Sequence, residues 1–161
     1  MAVLTNLDKV SDHLGIGSTD SAEDNLLVQL IEEVEQVVFE YTGRGEELGQ
    51  SLAFTEYYDG TGRHELWLRK FPVTSVTTLS VDGGGYYGKG TTPFPSSTDW
   101  TEGTEFAIPL VEESEKNRGK VVALGSVDFR TPSVWPRGTG NIKVIYRAGY
   151  SAAPRDLEMA V

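Results

Sequence analysis

Apolar residues along the chain follow two different periods, and the change between them divides it. Leu26, Leu27, Leu30, Ile31, Val34, Val37, Val38 and Tyr41 recur at three- and four-residue spacing, the pattern of a helix with one apolar stripe. Asp20 or Ser21 is placed to cap its start and Gly43 to end it, which predicts one amphipathic helix of about twenty residues. Leu26, Leu30, Val34, Val37 and Tyr41 should then be buried. Glu23, Asp24, Glu32, Glu33, Glu35 and Glu40 occupy the remaining positions and predict a solvated acidic face. A shorter helix, over about Asn6 to Leu14, precedes it, with Thr5 as N-cap and Asp8 three residues on. It ends at "GIGST", and the short loop predicts that the two helices pack together.

From Leu52 the apolar period becomes two and the residues become β-rich. "YYDGTGRHELWL" reads as a hairpin in which Asp59, Gly60 and Gly62 supply positive φ angles. Phe71 and Pro72 introduce a strand over Val73 to Val81. Further strands are expected at Glu105 to Ile108, Val121 to Leu124 and Asn141 to Ala148. Between them, 83–98 is rich in Gly, Ser, Thr and Pro with two tyrosines, and predicts an exposed, mobile loop. Pro154 and Asp156 open a last helix. So short a helix is marginal alone, so it must pack on the first two or continue further.

Helices, then strands, then a helix predict an α+β fold. The N-terminal helices and the C-terminal helix form a small bundle, with an inserted antiparallel β portion of five to seven short strands. Expected boundaries are 1–50 for the N-terminal helical part, 51–150 for the β portion and 151–161 for the start of the C-terminal helix, all within one domain.

Charge sharpens this division. Through Gly60 there are thirteen acids against Lys9 and Arg44, a net of −11, whereas the remaining 101 residues carry eleven acids and twelve bases, a net of +1. This imbalance argues against a dedicated nucleic-acid binder, whose phosphate contacts need clustered Lys and Arg. It suits charge-complementary contact between subunits or, equally, solvated faces that keep the chain soluble. No apolar run approaches the ~18 residues that span a bilayer, and the N-terminus has no signal pattern, so synthesis in a cytoplasm is expected.

Candidate chemistry is sparse. There is no Cys, which excludes disulfides and thiolates, and His13 and His64 are the two imidazoles. Neither stands in a recognisable triad or zinc spacing. The pairs Glu32-Glu33, Glu46-Glu47 and Glu112-Glu113 read as solvated faces, not as a glycosidase dyad. "DGTGRH" and "RGTGNIKV" lead into strands, so they are turns and not phosphate cradles. "GGGYYGKG" reads either as a contact loop built on Tyr86, Tyr87 and Lys89 or as a disordered insertion. No cofactor or metal is expected, and no enzymatic activity.

Four segments carry a resemblance: "LTNLDKVSDHLGI" with the acidic helix after it, "VEQVVFEYTGR", "YYDGTGRHELWLRKFPVTSV" and "IKVIYRAGYSAAPRDLEMAV", about 80 residues in all. The most specific is Tyr-x-Ala-Gly-Tyr, a few small residues, then Pro-x-Asp-Leu. In these the chain resembles the head-tail connector proteins (adaptor, or head-completion proteins) of tailed bacteriophages; 83–140 carries none of the likeness. The resemblance implies a structural subunit of the virion neck, made in the bacterial host cytoplasm and without catalytic activity. Such subunits form a ring, usually of twelve copies, docked on the portal protein below the DNA-filled head. The ring joins head to tail through the next neck protein, the stopper or tail-completion protein. It extends the channel through which double-stranded DNA passes as cargo, and no membrane is involved. The resemblance also implies that the last helix continues past Val161 and that Pro154 and Leu157 pack on the N-terminal helices.

Within that frame, Tyr86, Tyr87 and Lys89 are candidates for contact with a neighbour. The acidic residues Glu32, Glu33, Glu35 and Glu40 are expected to face the basic Arg63, Arg69, Lys70, Arg130 and Arg137 of the adjacent subunit, the alternative being acids that line the channel around an apolar contact. A different class of function, a β-rich binding module for carbohydrate or a protein ligand, would use exposed aromatics among Trp67, Trp100, Trp135, Tyr86 and Tyr87.

Overall fold

A computed structural model describes residues 4–16, 21–87, 93–109, 118–124 and 134–158. It is an α+β protein whose chain contacts divide it into two compact units. One comprises Met1–Leu52 with Gly149–Val161, and the other Ala53–Ala148.

In the first unit, helix α1 spans Leu7–Leu14 and α2 spans Ser21–Thr42. A 3₁₀ turn at Glu46–Leu48 follows, and α3 spans Arg155–Glu158. Asn6, not Thr5, caps α1: its side chain accepts the Lys9 N–H at 3.0 Å, while Thr5 is buried. Gly15 (φ 69°) and Gly43 (φ 63°) end the two helices in the left-handed conformation.

The burial of α2 differs from the expectation. Ile31 and Glu35 are its buried side chains, whereas Leu26, Leu30, Val37 and Tyr41 are exposed, Val37 at 64% and Tyr41 at 92%. The reason is the placement of α1, which covers the Ile31 side. The N-terminal segment is tied there because the Glu35 carboxylate accepts the buried N–H groups of Leu4 (2.5 Å) and Thr5 (3.4 Å).

The second unit holds seven strands among the described residues: β1 Leu52–Gly60, β2 Glu65–Trp67, β3 Val73–Val81, β4 Asp99–Trp100, β5 Phe106–Ala107, β6 Lys120–Ala123 and β7 Gly138–Ala148. They form two antiparallel sheets, in the orders β1-β7-β3-β4 and β2-β6-β5. β7 runs along β3 from Ala148 opposite Val73 to Ile142 opposite Val81, with two register shifts. Its alternate residues Ile142, Val144, Tyr146 and Ala148 are fully buried, as period two requires. Leu66, Phe106, Val121 and Ala123 of the smaller sheet join the same core.

The expected Tyr58–Leu68 hairpin does not form, because β1 and β2 lie in different sheets. Past Gly60 the chain bonds to the segment before β7 instead: the Gly62 N–H donates to the Trp135 carbonyl and the Trp135 N–H to that of Arg63, both at 2.9 Å. Gly62 has positive φ, but Asp59 and Gly60 do not. Gly60 is needed for close approach, since a Cβ there would lie 1.7 Å from the Pro136 carbonyl oxygen.

Loop 83–98 is partly described. At its start the Asp82 carboxylate accepts the N–H groups of Gly84 (3.1 Å) and Tyr87 (2.5 Å), and at its end Ser96–Thr98 is a 3₁₀ turn. Those two ends are therefore held in place. Its middle, with Lys89, lies outside the described residues.

Candidate functional site

Three groupings of side chains merit weight: a polar cluster in the β core, an aromatic patch beside it and the uncovered surface of the helical unit.

In the cluster, Glu56 on β1 accepts hydrogen bonds from the hydroxyls of Tyr58 and of Tyr146 on β7, the latter at 2.6 Å. The Tyr58 and Tyr146 oxygens in turn accept the backbone N–H groups of Arg69 (3.0 Å) and Lys70 (3.2 Å). Burial, then the bond to Glu56, pushes the Tyr58 phenol up to about 12. Burial, then the same carboxylate, raises Tyr146 well beyond the usual phenol range. Both phenols stay protonated at any physiological pH, so they hold the strands together and do not act as bases or nucleophiles. The Arg69 guanidinium lies 5.0 Å over the Tyr58 ring and the Lys70 ammonium 5.7 Å over Phe54. Two basic interface candidates thus help to cover this cluster.

The aromatic patch joins Tyr57, Phe94 and Tyr87, with ring centroids 6.2 and 6.3 Å apart in succession. Tyr86 beside it is 78% exposed. Of the tryptophans, Trp135 is fully buried and stacks on the half-buried Trp100 at 5.1 Å, whereas Trp67 is exposed. The Trp135 Nε1 donor is buried without a hydrogen-bond partner.

In the helical unit, the residues of the exposed α2 stripe fall within an arc of about 60° at 3.6 residues per turn. Leu26, Leu30, Val37 and Tyr41 thus form one apolar ridge. Glu33 and Glu40 border it on one side. On the other side Leu27 and Val34 lead into an open groove of about 910 Å³ between α2, α1 and the start of α3. Val10, Leu14 and Ile31 complete its apolar wall, and Lys9, His13, Arg155 and Asp156 stand around it.

Charge is concentrated here. Met1–Leu52 with Gly149–Val161 carries thirteen acids against three bases, a net of −10, while Ala53–Ala148 carries eleven of each. Two of the three bases, Lys9 and Arg155, stand at the groove. The third, Arg44, lies 4.0 Å from the Glu47 carboxylate and over the Tyr150 ring.

The acidic candidates separate on this geometry. Glu32, Glu33 and Glu40 are exposed on α2, but Glu35 is buried and already engaged with Leu4 and Thr5, so it leaves the proposed contact face. Glu47 is likewise not solvated: it is buried and accepts the Gly45 N–H at 3.0 Å. Arg63, Arg69 and Arg137 are exposed and Lys70 half-buried; Arg130 lies outside the described residues. Arg63 and Arg137 flank the Gly62–Trp135 bonding, apart from the Arg69–Lys70 pair at the tyrosine cluster. Pro154 and Leu157 are half-buried.

His13 and His64 are both exposed. Among the described residues no cluster of three or more His, Asp or Glu is arranged to hold a metal ion, and no helix is long and apolar enough to cross a membrane. No protein-family model matches the sequence, and no curated protein matches it.

Proposed function

We propose that the chain is a structural subunit of a phage neck, a ring-forming adaptor that docks on the portal and passes the DNA channel on toward the tail. The observation that carries this reading is the helical unit's surface: an uncovered apolar ridge with charged borders, in a unit that holds the whole net charge of −10. Contiguous exposed apolar surface of this kind is a contact surface. An acidic unit also suits a channel past which DNA must slide, because few phosphate contacts mean little counterion-release affinity. The same unit is assembled from both ends of the sequence, where the connector-like segments lie.

Particles purified from cells carrying the phage or prophage that encodes the chain test this. Immunoblotting should find the chain in tailed, DNA-filled particles and immunogold should label the head-tail junction; its absence from such particles would overturn the assignment.

The Tyr57–Phe94–Tyr87 patch with exposed Tyr86 favours a second reading, a β-rich module that binds carbohydrate or a protein ligand. Saturable quenching of tyrosine and tryptophan fluorescence by an oligosaccharide, lost in Tyr86→Ala, would support it over the neck role.

A further inference from the structure

We propose that the α2 ridge of one copy of this chain seats in the α1–α2–α3 groove of a second copy. This rests on the reading that the chain is a self-assembling subunit, and it names the surface by which it does so.

The two patches match in three respects. Both are apolar: Leu26, Val37 and Tyr41 stand out on the ridge, while Leu14, Leu27 and Val34 face the groove, and Leu30 marks the boundary between them. They match in form, because a helix ridge of about 22 Å, from the 1.5 Å rise per residue between Leu26 and Tyr41, is the natural filler of a groove walled by helices. They match in charge. In a unit of net −10, two of three bases gather at the groove, so an occupant that brings carboxylates is favoured there. Glu33 and Glu40, beside the ridge, bring them. An anionic membrane would meet these acids, and a basic helix would meet Lys9 and Arg155, so neither suits both borders.

Ridge and groove are different patches, so the contact is head-to-tail and can propagate from copy to copy. That property supplies the test, by sedimentation velocity of the full 17.6 kDa chain. Val37→Asp/Tyr41→Asp removes the ridge, and Leu14→Asp/Arg155→Glu removes the groove, all at exposed positions. Wild-type protein should associate with rising concentration. Each variant should associate at least tenfold more weakly, and an equimolar mixture of the two should regain a heterodimer, because it retains one intact ridge and one intact groove.

A wild-type monomer at every soluble concentration, a ridge variant that associates like wild type, or a mixture without heterodimer would overturn the proposal. If circular dichroism shows that either variant loses helix, a charge exchange replaces it: Lys9→Glu/Arg155→Glu mixed with Glu33→Lys/Glu40→Lys should associate where each alone does not. Failure of that pairing also overturns the contact. Particles that contain the chain although the mixture fails would sink this contact alone, whereas a chain that associates as described yet is absent from particles would sink the neck reading alone.

Discussion

Gly149 has φ 117°, and a Cβ at that position would lie 2.3 Å from the Gln50 carbonyl oxygen and 2.7 Å from that of Glu47. The next residue, Tyr150, donates its N–H to the same Glu47 carbonyl at 3.0 Å. Together with Tyr146 in the core, these residues give physical work to the Tyr-x-Ala-Gly-Tyr segment, which closes the chain's return and carries no chemistry. Gly149→Ala should therefore lower stability by more than about 1 kcal/mol, the scale for a side chain forced into left-handed backbone, measured by urea titration. A second residue-level prediction concerns pH. Tyr58 and Tyr146 hold their protons more tightly folded than unfolded, so their contribution is complete below the free phenol value of 10 and is lost as pH rises from there through about 12. Unfolding free energy should fall across pH 10 to 12, and less steeply in Tyr146→Phe; equal slopes would remove the buried-phenol account. Neither Glu56 nor Asn141 was legible as structural in the sequence. Asn141 accepts the Gly60 N–H and donates to the Pro136 carbonyl, each at 2.8 Å, but such long-range partners leave no local pattern.

At the scale of elements, both long periodic signals were readable. The three-and-four spacing marks α2 and period two marks β3 and β7, because each repeat reflects backbone geometry that neighbours cannot alter. Which side of α2 is covered was not readable: that depends on where α1 docks, and the docking is fixed by a carboxylate, Glu35, that counts as polar in any pattern. The expected hairpin failed for a related reason. Its turn residues are real, yet Gly62 pairs with the Trp135 segment some seventy positions away, which no local signal specifies. The stability consequences now differ from those of a helix buried on its Leu30 face. Ile31→Ala should cost about 2–5 kcal/mol, as for a buried large-to-small change, while Leu26→Ala and Val37→Ala should each stay within about 0.5 kcal/mol. Denaturant titrations of all three check this, and a reversed order would mean that the ridge is core. Tyr86→Ala, at an exposed position of the aromatic patch, should leave the melting temperature within 1–2 °C, roughly the shift expected for a neutral surface change, yet reduce the yield of tailed particles. Normal yield would free that patch from any role in assembly.

Across the whole molecule, the sequence's charge asymmetry coincides with its division into compact units, since the near-neutral β unit leaves the net charge to the helices. The expectation that acids of α2 meet bases of a neighbour is narrowed by the fold: Glu35 is spent internally, and an apolar ridge runs beside Glu33 and Glu40. Apolar burial then supplies most of the affinity and the charges supply register. The central claim, a neck subunit that joins filled heads to tails, is tested most directly by deleting the reading frame from its phage or prophage and viewing the lysate by electron microscopy. The account predicts DNA-filled heads and separate tails, with joining restored when the chain is supplied in trans. Complete, infectious tailed particles from the deletion would contradict it.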